Sequence, residues 1–272
     1  MESEKSNRQF RQVADAFSRK AGVYDAFGQD HANLQRMREK VYAQVARWTP
    51  SGSHILELNA GTGLDAVTLV ERGYRVHGTD VAPGMVDEMQ RKKRVLGLDG
   101  RFSTQLCSFT ELGNVAGGPF DAVFSNFGGL NCVADLTAVT RHLPQLLKPG
   151  GVLTWVIMPP ICPWELALLP KDWRVATRRL RRGGVMANVE GVQFQTFYFT
   201  PGQVQKALGS AFQTVQLTGL SIVTPTADND SFARRRPGLF SWLVRLDDWL
   251  GERPLFNRIG DFFILTARYD PE

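Results

Sequence analysis

The stretch Ile55-Leu56-Glu57-Leu58-Asn59-Ala60-Gly61-Thr62-Gly63 constrains this chain most. Apolar residues broken by one acid run into a short glycine turn. Leu64 to Glu71 then reads as a helix, with apolar or small residues at Leu64, Val67, Leu69 and Val70. This is a buried parallel strand, a tight loop and a helix N-terminus, the layout that aims backbone N–H groups at a nucleotide-like ligand. A second strand, Arg75 to Asp80, ends in an acid 17 residues beyond Gly63, placed to take both hydroxyls of a ribose. The first inference is a bound nucleoside.

Gly61 to Ala66 also reads as the dinucleotide pattern G-x-G-x-x-G/A, so a nicotinamide-dependent oxidoreductase stands as an alternative. Glu57 argues against it. A diphosphate passing over the loop would be repelled by a carboxylate, whereas a cationic sulfonium bearing an amino acid would not. The run resembles motif I, E/D-x-G-x-G-x-G, of the class I S-adenosylmethionine-dependent methyltransferases. Asp80-Val81-Ala82-Pro83-Gly84-Met85 resembles that family's second motif, and Lys148-Pro149-Gly150-Gly151 followed by Val152 to Met158 resembles its turn into the fifth strand. The resemblance covers roughly residues 50 to 158. Asn59 departs from the pattern, standing where the first glycine is usual, so an Asn side chain is expected against the ligand.

The resemblance implies an α/β fold: a Rossmann-like, doubly wound seven-stranded sheet, mostly parallel with an antiparallel last strand. It implies an N-terminal helical lid (1–50), a cofactor-binding core (51–158), a substrate-cap insertion (159–200) and a C-terminal part of the same sheet (201–272). S-adenosyl-L-methionine is the implied cofactor. Ala60, Gly61 and Gly63 fall in its loop, Glu57 and Asn59 beside it, and Val81 and Met85 beyond Asp80. Carbonyls of Ser125 and Asn126, before Phe127, suit its ammonium group. Arg36 or Arg38 offers a bidentate fork for its carboxylate, and Arg38 is taken as the binding residue. Where the family commonly has an acid for the adenine amine, Ser108-Phe109 follows the third strand; Phe109 is expected to stack and Ser108 to bond the ring edge. A lid carrying Tyr24-Asp25 is implied to close over the cofactor.

At 272 residues, 43% hydrophobic and 22% charged, the chain suits one α/β domain with elaborations. The start, Met1-Glu2-Ser3-Glu4-Lys5, is polar and argues against a secretory signal. The longest apolar run, Val152 to Ile161, is shorter than the roughly 20 residues of a membrane span. Cys107, Cys132 and Cys162 make neither a disulfide framework nor a zinc pattern, so a reducing cytoplasm is expected. The net charge of +5 is compatible with anionic partners but does not specify nucleic acid.

Helical spacing recurs at Phe10, Val13, Ala14 and Phe17 and again at Met37, Val41 and Val45, either side of a break from Ala21 to Gly28. Further helices are expected over Gly84 to Leu96, Asp135 to Leu147 and Pro201 to Leu208. The run Arg91-Lys92-Lys93-Arg94 reads as a solvated face. Strands are expected at Arg101–Cys107, Phe120–Asn126, Phe212–Val223 and Asp261–Tyr269, and strand pieces over Val185–Phe199. The apolar helix through Phe240, Trp242, Leu243, Leu246, Trp249 and Leu250 is expected to cover a sheet face.

Methyl transfer from a sulfonium is an in-line displacement, so the first demand on a site is alignment in a dry pocket. A base is required only where the acceptor arrives protonated. His31 is the histidine beside the lid and, with Tyr24, the catalytic candidate; Tyr198 and Glu165 rank lower. The cap holds Lys171, Arg174, Arg178, Arg179, Arg181 and Arg182 against the single Asp172, and one or two of these cations are expected to point inward. Asn131, Trp164, Glu165, Arg178 and Tyr198 are the expected substrate contacts. No metal constellation is legible. Phe127-Gly128 stands where nucleobase amine methyltransferases have paired prolines, which favours a small-molecule acceptor at O, N or C over nucleic acid. No stable membrane insertion is expected, and a homodimer is left open. An RNA methyltransferase and a cofactor-binding protein without chemistry are the remaining alternatives.

Overall fold

The computed structural model describes residues 2–25, 31–181, 183–189, 191–226, 229 and 231–271. The far part of the expected break and Arg182 lie outside the described residues.

Strand β1 (His54–Leu58) lies between β2 (Arg75–Asp80) and β4 (Phe120–Ser125), parallel to both. Beyond β2 lies β3 (Phe102–Leu106), and beyond β4 lies β5 (Leu147–Ile157), again parallel. Then come β9 (Phe262–Tyr269), antiparallel to β5, and β8 (Phe212–Leu220), giving the order β3-β2-β1-β4-β5-β9-β8. The chain reverses its direction of travel between β1 and β4, so a crevice opens at their C-terminal ends. Leu56, Leu58, Val123, Leu153, Trp155 and Leu265 join one apolar cluster, while Ile55, Ala122, Phe124, Val152, Val156 and Ile264 join another. That alternation follows from the two-residue period of a strand whose two faces are both covered.

Helix α1 (Glu2–Tyr24) packs on α4 (Pro83–Val95), with Gly84 so close that an added Cβ would stand 2.9 Å from the Ser18 carbonyl. Helix α2 (Ala32–Trp48) buries Leu34, Met37, Val41, Tyr42 and Val45 against the sheet, and α3 (Leu64–Glu71) follows the glycine loop.

The single helix expected over 135–147 is instead two short turns, α5 (Thr137–Thr140) and α6 (Leu143–Leu146). Pro144 has no N–H to donate back along the helix, which ends the first turn. The cap holds α7 (Pro163–Leu166), α8 (Trp173–Ala176) and an antiparallel hairpin of β6 (Val185–Val189) with β7 (Val192–Thr196). Thr200 and Gln203 form a capping box that starts α9 (Pro201–Leu208).

After α10 (Ser231–Arg235), α11 (Pro237–Leu250) does not cover the sheet as expected. Only Asp247 and Leu250 of α11 are fully buried, and Leu239, Trp242 and Trp249 stay exposed. The sheet face is already taken by α2. A polar clasp holds α11: Asp247 accepts from Ile222 N at 2.7 Å and Val223 N at 2.9 Å, and pairs with Arg36 at 2.6 Å. Among the described residues, no helix is long and apolar enough to cross a membrane.

Candidate active site

A cavity of roughly 430 Å³ opens where β1, β2 and β4 end, under α1 and the β6–β7 hairpin. Its floor is the glycine loop. Asp80 accepts from Gly61 N and from Ala82 N, each at 2.9 Å, so the acid at the end of β2 shapes the loop above β1. Burial pushes the Asp80 carboxyl up, against the lowering pull of these backbone donors. Gly63 is at φ 78°, and a Cβ there would meet Met89 at 2.8 Å, so this position requires glycine.

Tyr24 lies over this floor, its ring 4.0 Å from where a Gly61 Cβ would stand. Asp25 pins that end of α1, accepting from Thr62 Oγ1 and pairing with Lys92, both at 2.5 Å. Lys92 is therefore not part of a solvated charge run, although Arg91 is exposed and pairs with Glu88. Val13 and Phe17 of α1 also line the cavity; only their helical spacing marked them in the sequence.

Asn59 is at φ 49°, a left-handed conformation that Asn tolerates better than most residues. Its side chain bridges β1 to β4: Oδ1 accepts from Ser125 Oγ at 2.7 Å and Nδ2 donates to the Asn126 carbonyl at 3.3 Å. Gly129 sits directly against it, since a Cβ there would overlap Asn59 Cγ at 2.2 Å. The departure from glycine is thus a brace. Asn59→Gly should weaken cofactor affinity about three- to tenfold and lower stability by about 1 kcal/mol, because the buried Ser125 hydroxyl loses its acceptor. Calorimetric Kd and a melting curve test this; two unchanged values would show that the brace carries nothing.

Beside the brace, Asp65 accepts from Arg38 and Tyr42 in short contacts and from Asn126 Nδ2 at 3.1 Å. The Arg38 guanidinium also stands 4.8 Å over the Phe127 ring, which packs edge-on to Phe262. Arg36 turns away to Asp247, which leaves Arg38 as the fork in the cavity. Asp65 and Tyr42 escaped the sequence reading; an acid in the first turn after a glycine loop was the available signal. Glu57 lies behind the loop, 1% exposed, and its Oε2 has no partner. Burial and then the charge of Asp65 raise its carboxyl well above the ordinary range, against the pull of Arg38.

Ala60, Val81, Met85, Phe109, Asn126 and Phe127 line the cavity as expected residues do. Ser108 instead turns to Thr110, 2.9 Å away. The remaining wall comes from Gly128, Gly129, Met158, the hairpin, Arg178 and Tyr198. Glu165 stands behind Arg178 and Arg179 rather than facing the cavity; it accepts from Arg178 Nε at 2.9 Å and Nη2 at 2.7 Å, and from Arg179 Nη2 at 2.7 Å. Arg179, 4% exposed, also bonds Asp261 at 2.7 Å. Cys162, Glu165 and Asp261 bring three donor atoms within 4.8 Å, but the Arg179 guanidinium already supplies the cation between the two acids.

Three expected site residues hold the structure instead. Asn131 clamps the cap, donating to the carbonyls of Met158 and Phe197 at 3.1 and 2.6 Å. Trp164 packs edge-on to Phe232, 5.2 Å away. His31 caps α2, its Nδ1 accepting from Leu34 N at 3.2 Å, and it is not part of the cavity wall.

Around the loop, Glu57, Asp65 and Asp80 face one arginine, Arg38, and one oxygen of Glu57 is unpartnered. A ligand bringing an ammonium and a sulfonium fits that surplus of carboxyl groups, while one bringing a diphosphate adds to it. The strand order and the glycine loop are those of the class I S-adenosylmethionine-dependent methyltransferase fold. Residues 55–151 match the family described as "Methyltransferase domain".

The chain is 25% identical over 150 residues to tRNA 5-carboxymethoxyuridine methyltransferase of Escherichia coli (strain K12), covering 54% of this chain and 55% of that protein. It is 33% identical over 147 residues to malonyl-[acyl-carrier protein] O-methyltransferase of Serratia marcescens, covering 52% of this chain and 50% of that one. It thus spans about half the length of these curated relatives. The CcbJ methyltransferase from Streptomyces caelestis shares the fold at a TM-score of 0.61 and 16% identity, over 93% of this chain and 96% of that one. The [4+2]-cyclase SpnF does so at 0.63 and 16%, over 96% of each.

Proposed function

We propose that this protein transfers a methyl group from S-adenosylmethionine to O, N or C of a small molecule held under the cap. The observation that carries the reading is the acidic surplus around Glu57 beside a cavity closed by α1 and the hairpin. When bound, the cofactor supplies an electrophilic methyl group. The chain's part is positional: Asp80 and the loop hold a nucleoside, Arg38 offers a fork to a carboxylate, and the apolar walls keep water from the acceptor. Burial raises the phenols of Tyr24 and Tyr198, so both are donors at neutral pH rather than bases.

Arg178 and Arg179 turn inward to Glu165, which takes two of the five described cap cations away from a polyanion and leaves Lys171, Arg174 and Arg181 exposed. This favours a small acceptor over RNA, even though one relative is named for tRNA. The buried thiols Cys107, Cys132 and Cys162 suit a reducing, cytoplasmic setting.

Calorimetry should give micromolar binding of S-adenosylmethionine and none of NAD; the reverse would overturn the reading. Binding a cation favours ionised Glu57, whose free-state carboxyl is raised. Affinity for S-adenosylmethionine should therefore rise with pH through the window above the ordinary carboxylate range, as the proton is lost. Glu57→Gln should flatten that slope, and a slope of opposite sign in the wild type would contradict the cationic-ligand assignment.

A further inference from the structure

The cap end of the cavity differs in chemistry from the cofactor end. Its walls are apolar: Met158, Val185, Ala187, Phe194 and Phe262 surround it. Arg178, Arg179, Thr196, Tyr198 and Asp261 break that surface, and two of these groups matter most for a ligand: Arg178 Nη1 and the Tyr198 hydroxyl. Arg178 commits Nε and Nη2 to Glu165, while Nη1 donates to no group among the described residues. The Tyr198 hydroxyl, likewise, has no hydrogen-bond partner among the described residues. Its ring is fixed by the Arg179 guanidinium, 5.4 Å from the ring centroid. Neighbouring Arg179 spends four of its five N–H groups on these acids: Nε and one Nη2 N–H on Glu165, one Nη1 N–H on the Asp261 carbonyl and the other Nη2 N–H on Asp261 Oδ1. Arg178, 37% exposed at its side chain against 4% for Arg179, and Tyr198 are thus the donors best placed for a ligand.

Charge decides what kind of oxygen they hold. Arg178 and Arg179 are balanced by Glu165 and Asp261, so the cap end has no surplus positive charge. At the cofactor end, Asp65 and Asp80 stand against Arg38 alone. A carboxylate or phosphate would lose its hydration and find no unpaired cation. A neutral carbonyl oxygen loses much less and meets two donors. We infer that the acceptor is a neutral, apolar-bodied molecule whose carbonyl-type oxygen is held by Arg178 Nη1 and the Tyr198 hydroxyl. This rests on the proposed methyltransferase reading and narrows its substrate class. It excludes acceptors anchored by a phosphate.

Three probes of one shape separate the possibilities: 2-acetonaphthone, 2-naphthoate and 2-ethylnaphthalene, titrated into protein saturated with S-adenosylhomocysteine. The ketone should bind about fivefold or more tightly than the ethyl compound, one net hydrogen bond's worth, and the anion most weakly. Arg178→Met and Tyr198→Phe should each erase much of the ketone-over-ethyl preference while leaving the ethyl compound and S-adenosylhomocysteine bound as before. Arg178→Met leaves Glu165 bonded to Arg179, and Tyr198→Phe removes only an unbonded hydroxyl, so one of the pair tests the idea even if the other is unstable.

Tighter binding of the naphthoate, an unchanged preference in both variants, or binding of none of the three would overturn the inference. Failure of S-adenosylhomocysteine itself to bind would instead overturn the cofactor reading beneath it.

Discussion

Asp80→Ala should weaken binding of S-adenosylmethionine by about 10- to 150-fold, equivalent to about 1.5–3 kcal/mol for the loss of charged acceptors. The side chain acts twice. On the proposed reading it takes the ribose, and it holds the loop by accepting from Gly61 N and Ala82 N, one on each oxygen. Asp80→Asn should therefore be nearly as damaging, since an amide accepts at one of those positions and turns N–H against N–H at the other. Calorimetry on both variants, with a melting curve to confirm folding, reads the effect. An asparagine variant with wild-type affinity would show that the two backbone bonds and the charge are dispensable, and that the ligand lies elsewhere.

How much of this was legible in the sequence depends on how local each signal is. The β1–loop–α3–β2 unit was, because glycine spacing and an acid at a strand end are properties of one short stretch. Asn59 could be seen as a departure, but not its purpose, which lies in Ser125 and Gly129 on another strand. Asp65 and Tyr42 join the site only because α2 packs across α3. His31 stood beside the lid in the sequence yet faces a helix end in space. Trp164 is marked by its place in the cap and Asn131 by following the fourth strand, and both lie where the cap is fastened. The apolar spacing of α11 was read correctly as a helix and wrongly as a buried one, because the sequence does not say that α2 already fills the sheet face. The break at Pro144 was different. Its missing N–H is a local fact, and helical spacing on both sides concealed it.

Arg179→Met should produce the largest loss of stability, about 3–5 kcal/mol, because it removes the guanidinium that bridges two buried carboxylates, Glu165 and Asp261. Glu165 would keep Arg178, but Asp261, 5% exposed at its side chain, would lose the 2.7 Å bond to the Arg179 guanidinium. In a domain of this size, Tm should fall by about 6–15 °C. Arg179→Lys should recover part of the loss only, since one ammonium cannot reach Glu165, Asp261 Oδ1 and the Asp261 carbonyl in the geometry that the planar fork satisfies.

The pH dependence carries the same argument. Burial works to raise the Glu165 carboxyl, but the bonds from Arg178 and Arg179 outweigh it and hold the group below its ordinary value. The stability this contributes is present above the ordinary carboxylate range and is lost as pH falls through the lowered value. The gap between wild type and Arg179→Met should accordingly be widest at neutral pH and narrow in acid. Denaturant melts at about pH 7 and about pH 4 measure it. A gap below about 1 kcal/mol at neutral pH, the level of an exposed pair, would mean that solvent already reaches these acids. The cap would then be more open than the buried cluster requires, and the dry acceptor pocket would lose its physical basis.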